Sequence, residues 1–297
     1  MVRDNTGVLS RSQVSMANGT KVFGADVTVD TAPGKPSLVM SGGARIGQDF
    51  NYTTNPVPPV IPNIDKVMGD VVNDAVPPPF PVVDTAVWQQ FVPAPDALGS
   101  RVISAATDLA GITELTNVRI KANSNVTLDG VVLNGVVYVE TPNAITFGGS
   151  TRIRGVIVTD GAAGTAGVDN VITLDDGVRM YGLGEDELDP SGFPITDRIE
   201  ELKTMGGGLI IAPKAKLVIN GGTKTFGGAM IADAVSVANG YKGQVGGALV
   251  VLTDVEHGMT MAGGSEITFT AGSGSIPGLT NKPRFKPSPE SYEEVVQ

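Results

Sequence analysis

The chain has 297 residues with 39 Gly, 20 Pro, no Cys and a single His, and a formal net charge of -10. Without cysteine there are no disulfides, thiolate zinc sites or cysteine nucleophiles, and one histidine excludes multi-histidine metal sites. The acidic balance argues against nucleic acid, whose phosphates are held by clustered Lys and Arg. With 41% apolar residues the chain has the means to bury a core.

The N-terminus, MVRDNTGVLSRSQVSM, lacks the apolar run of a signal peptide, and no stretch reaches the length of a membrane span. The reading is a soluble chain, either whole or cut from a longer precursor that carries the anchor or signal.

One short pattern then recurs along the chain. An apolar-any-apolar step leads to a Gly-containing corner, and a further Gly precedes a compact apolar run. It begins at Val14 (VSMANGTKVFGADVTV), Leu38 (LVMSGGARIGQDF), Val126 (VTLDGVVLNGVVYV), Ile145 (ITFGGSTRIRGVIV), Ile172 (ITLDDGVRMYG), Leu217 (LVINGGTKTFGGAMI), Val235 (VSVANGYKGQVGGALVV) and Met259 (MTMAGGSEITFT). The Gly before the apolar run falls at Gly135 and Gly155, and again at Gly208, Gly228 and Gly247, which sets a period near 20.

Short alternating segments rich in Val, Ile and Thr are strands, and Gly, Asn and Asp supply the sharp corners between them. A unit of this size cannot bury its own apolar face, whereas stacking the units builds a continuous core. The expected fold is all-β, a parallel β-helix (β-solenoid) of about eight coils of ~20 residues spaced ~4.8 Å apart. The alternative, an antiparallel sandwich, expects closer strand spacing and hairpin turns. In the apolar runs, Val136, Ile157, Ile210, Met230 and Val250 are expected to point inward.

The organisation follows in four parts: N-terminal coils over 1–55, a proline-rich excursion over 56–110, the main β-helix over 111–271, and a tail or cap over 272–297. Residues 56–95 hold ten of the twenty prolines and the only Trp, Trp88. Prolines at this density cannot donate to a ladder, yet the apolar content predicts a segment packed along the rod, with a short helix at 64–74. A second interruption, 182–206, reads as a short capped helix at 196–205 ended by Gly206 to Gly208. The tail carries Phe285 and Tyr292 among prolines, and is expected to dock over the last coil at Met259 to Thr270 and so favour a monomer over an end-to-end filament.

The coils at Ile145 and Leu217, the Pro277-Gly278 step and the segment Pro287 to Glu294 resemble the C-terminal β-helical surface domain of type IV pilus assembly PilX-like proteins, over residues 110–297. A weaker resemblance is to bactofilins, cytoskeletal β-helices that polymerise end to end. The first implies a pilus-associated or cell-surface protein, although the hydrophobic N-terminal helix of pilins is missing here.

Candidate chemistry is sparse. Asp129, Asp160, Asp175 and Asp176 with Arg152, Arg154 and Arg179 lie on or beside coils, where β-helical polysaccharide lyases and hydrolases group carboxylates with a base, often through calcium. Corner Asp residues that bond their own backbone, and outward Arg residues on a solvated face, account for the same pattern. The run Glu185, Asp186, Glu187 and Asp189 lacks the alternate oxygen spacing of a calcium loop, and His257 has no nucleophile to serve. None of the Gly-rich steps opens a helix, as a phosphate loop requires. No catalytic, cofactor or metal residue is therefore assigned. The function read from the sequence is a non-enzymatic extracellular structural or adhesive β-solenoid whose partners are other surface or pilus proteins, with surface glycans as a further candidate. A carbohydrate-active β-helix enzyme and a bactofilin-type filament subunit are the alternatives.

Overall fold

The computed structural model describes residues 7–270 apart from 31–33, 54–56, 61–65, 74, 76–79, 81–82, 95–100, 108, 167, 182–207 and 254–257. The helix expected at 196–205, His257, the acidic run 185–189 and the tail with Phe285 and Tyr292 lie outside the described residues. Within them the chain is a parallel β-solenoid: every strand pairing is parallel, and the longest helical piece is the 3-10 turn Ala86–Phe91.

Short strands alternate with corners, so the chain visits three ladders in a fixed order. Ladder A holds Thr127–Asp129, Asn143–Gly148, Asn170–Leu174, 216–220, 234–238, Met259–Met261, Val14–Met16 and Leu38–Met40. Ladder B holds 114–116, 132–134, 152–154, Arg179–Tyr181, Thr223–Phe226, Lys242–Gly246, Glu266–Thr270, Lys21–Phe23 and Arg45–Ile46. Ladder C runs Val102–Ile103, 118–120, 136–139, 156–159, 208–212, 229–232, Ala248–Val251, Gly7–Ser10, Asp26–Val29, Phe50–Tyr52 and Val71–Val72. Those eleven rungs, more than the eight coils read from the repeat, make a rod on the order of 50 Å long.

Rod order and chain order differ. The described strands from Val102 to Thr270 follow one another along the rod in chain order, and the place that follows Glu266–Thr270 in the spiral is taken by Gly7–Ser10, which lies between Ala248–Val251 and Asp26–Val29. Val14–Met16 and Lys21–Phe23 then cover Met259–Met261 and Glu266–Thr270. The last coil is thus already covered, and a tail docked over it, as the sequence suggested, has no edge left to fill. The N-terminal coils also continue beyond residue 55. Val60 bridges Val39, Val67 bridges Ile46, and Val71–Val72 pairs with Phe50 and Asn51, so a rung stands where a helix over 64–74 was expected. The reason is spacing: Val67 and Val71, both packed on the core from successive sides of a coil, imitate the four-residue step of a helix face.

The core is built in rows. Val118, Val137, Ile157, Ile210, Met230, Leu249, Val8, Val27 and Phe50 follow one another in register along ladder C, and all are buried in one cluster with inward residues of the other two ladders. Ile157, Ile210 and Met230 are inward as expected. Val136 and Val250 are not: Val136 is in register with Val156 and packs in a second cluster outside the rod, while Val250 belongs to a third. In Val136-Val137-Tyr138 every residue is apolar, so alternation leaves the inward row undetermined by one residue. The backbone sets the phase at Gly135 and Gly155, which are register partners with φ of 75° and 152°. A Cβ on Gly155 would lie 1.9 Å from the Gly135 carbonyl oxygen.

The outside of ladder C is apolar because the returning chain covers it. After Val72 at one end the chain must reach Val102 at the other, and it does so as a strap. Phe80 packs on Ile231 and Val250 with the Arg11 guanidinium 4.4 Å from its ring centroid. Trp88, Phe91 and Val92 then pack on Val136, Tyr138, Val156, Val158 and Ile211. Polar latches fix the far end: Gln89 Nε2 donates to Tyr138 Oη at 2.8 Å, and Arg119 donates to Glu140 Oε1 at 2.8 Å and to the Pro93 carbonyl. The proline-rich composition fits such a strap, which packs through side chains and needs no ladder donors.

Burial raises the pKa of both Tyr138, beneath the strap, and Tyr241, stacked on Phe226 in the core. A phenol that loses its proton less readily when folded contributes stability that is complete below its unfolded pKa, near 10, and is lost as pH climbs beyond it. Alkaline titration followed by circular dichroism should therefore show stability falling above about pH 10. Tyr241→Phe should flatten that decline, and an unchanged alkaline limb would show that the core phenol is not its source.

Candidate functional site

The corner between ladders A and B carries the one group of sequence-predicted residues that the fold gathers. Two successive strands of ladder A, Asn143–Gly148 and Asn170–Leu174, turn there into strands of ladder B that begin at Arg152 and Arg179. Gly149, Ser150, Arg152, Asp176, Gly177 and Arg179 line a concavity of about 470 Å³, within the range of small-ligand sites. The turns pack closely: a Cβ on Gly177, whose φ is 84°, would fall 2.2 Å from the Gly149 carbonyl oxygen.

Arg152 and Arg179 are register partners on neighbouring rungs, and both are exposed. Two residues further along, Arg154 pairs in register with Tyr181, and both are half-buried. The face is therefore cationic along two rungs, with an aromatic ring at its edge.

The four aspartates divide. Asp176 lines the concavity and accepts the Gly177 backbone N–H at 2.8 Å. Asp175 accepts from Asn220 Nδ2 at 3.0 Å, and the Asp129 carboxylate lies against Gly149. Asp160 is at a different corner, between ladders C and A, where it accepts from the Thr141 N–H and hydroxyl and from the Ala162 N–H. Backbone bonding by corner aspartates thus holds for Asp160 and Asp176, and Asp160 stands apart from the other six residues.

Sequence reasoning missed a polar row at the corner after ladder C. Asn143 Oδ1 accepts the Asn125 N–H at 2.8 Å, and Asn170 Oδ1 accepts the Asn143 N–H at 3.1 Å. The two side-chain amides donate in turn to the carbonyls of Lys121, Glu140, Ala163 and Lys214. Asparagines recurring at the starts of successive A strands were the signal. A second row runs Asp26, Asp49, Asp70, in which the carboxylates of Asp26 and Asp49 each accept the backbone N–H of the aspartate on the next coil. Both rows satisfy corner backbone that no ladder reaches.

Among the described residues no three metal-ligating side chains converge, and no helix is long and apolar enough to cross a membrane. The fold places the chain among parallel β-solenoids. No known protein family, curated protein or solved structure matches it.

Proposed function

We propose that the chain is a non-enzymatic structural or adhesive rod displayed outside the cell, the soluble domain of a pilus-associated or other cell-surface protein. The supporting observation is the continuous inward row from Val118 to Phe50, which crosses the point where Gly7–Ser10 stacks on Ala248–Val251 and is flanked by a strap along ladder C. Parallel rungs joined by one core make a stiff spacer, and the strap adds side-to-side packing between rungs that are distant along the axis. Such a build suits a part that holds length under load.

The experiment is surface labelling. Antibodies raised against the folded chain should label intact cells of the encoding organism, and shearing that strips surface appendages should release the antigen. Labelling that appears only after lysis would overturn the assignment.

A further inference from the structure

Arg152 and Arg179 stand side by side on adjacent rungs, about 4.8 Å apart along the ladder. Like charges at directly opposed strand positions are destabilising. Elsewhere on ladder B the same kind of position is balanced, since Lys21 Nζ lies 3.3 Å from Glu266 Oε2 on the next rung. Arg152, Arg154 and Arg179, by contrast, take part in no ion pair among the described residues. In a chain whose net charge is -10, these three guanidiniums share one face of the ladder, two of them lining the concavity beside Asp176.

We propose that this corner binds the carboxylates of an acidic saccharide, which deepens the surface-rod reading and rests on it. Each element has a role. The planar guanidiniums of Arg152 and Arg179 suit bidentate binding of carboxylate. Asp176 and the Ser150 hydroxyl accept from sugar hydroxyls, while Gly149 and Gly177 let the two turns pack closely behind them. Tyr181, beside Arg154, offers a ring face to a sugar. The pairing of cations with an acceptor carboxylate selects a ligand that carries both acid groups and hydroxyl donors.

Calorimetric titration of the intact chain with a galacturonate hexamer tests this, with cellohexaose and a poly-glutamate peptide as comparators. Saturable binding of the hexamer alone is expected, weakening as salt rises. Arg152→Gln and Arg179→Gln should each weaken it by about tenfold, the scale of a lost charge-assisted hydrogen bond, and the double variant should abolish it. Arg45→Gln, an exposed cation on the same ladder several rungs away, should leave it unchanged. All are surface replacements, so circular dichroism should match the parent. No hexamer binding, equal binding of poly-glutamate, or affinity indifferent to Arg152 and Arg179 would each overturn the proposal. Hexamer binding with labelling confined to lysed cells would sink the surface reading alone; surface labelling without hexamer binding would sink the site alone.

Discussion

Ile157→Asp should leave no folded rod, whereas Val136→Asp should leave the rod and release the strap. Ile157 is fully buried between Val137 and Ile210 in the inward row, with only aliphatic neighbours in register. A carboxylate there has no partner and no route to water, a cost of at least several kcal/mol against a total stability of ~5–15 kcal/mol for an ordinary protein. Val136 is equally inaccessible, but its neighbours are Trp88, Phe91, Tyr138 and Val156, outside the coil. A charge at that position can reach water if the strap lifts.

Two readouts separate the outcomes. Trp88 is the only tryptophan and is 1% exposed, so its fluorescence reports the strap alone while far-UV circular dichroism reports the rungs. Val136→Asp should shift Trp88 emission to the red with the dichroism retained, and Ile157→Asp should abolish the dichroism. Loss of the rod in both variants would show that Val136 faces the interior after all.

Those two residues also mark where sequence reading reached its limit. The fold class was legible because the corner residues repeat: Gly, Asn and Asp separate Val- and Ile-rich steps at intervals near 20, and only a parallel solenoid needs that. Within a rung, the phase was lost wherever both sides of the strand are buried. Val14-Ser15-Met16 alternates and is unambiguous, but Gly135-Val136-Val137-Tyr138 reads the same in either phase until the strap is known to cover one side. The strap itself was visible as a proline-rich segment with too many apolar residues for a free linker, and its place followed only from topology. A chain that leaves the rod at Val72 and re-enters at Val102 has to travel the rod's length. For the concavity, composition identified the residue types, and register decided which of them meet. Asp176, Arg152 and Arg179 fall on neighbouring rungs, while Asp160 follows its strand into a different corner.

The last expectation concerns the join in the middle of the rod. Nothing in the repeat announces that Gly7–Ser10 continues the spiral from Glu266–Thr270, because repeat units carry no label of rod order. The consequence is a sharp asymmetry between the two ends of the chain. Removing residues 1–30 strips Val8, Val14, Met16, Val22, Val27 and Val29 from the core and leaves two edges unpaired, that of the coil 248–270 on one side and that of 38–52 on the other. Six lost core side chains at about 1.5–3 kcal/mol each are together as large as the whole stability of an ordinary domain, so this truncation should fail to fold or should aggregate through its open edges. Truncation after Thr270 removes no rung among the described residues, and Lys21–Phe23 already covers Glu266–Thr270, so it should leave melting temperature and circular dichroism close to those of the intact chain. Light scattering and thermal melts on the two truncations decide the matter. A stable protein lacking residues 1–30 would mean that the N-terminal coils do not sit within the rod, and collapse of the chain ending at Thr270 would return to the tail a structural role that the strand order gives to the N-terminal coils.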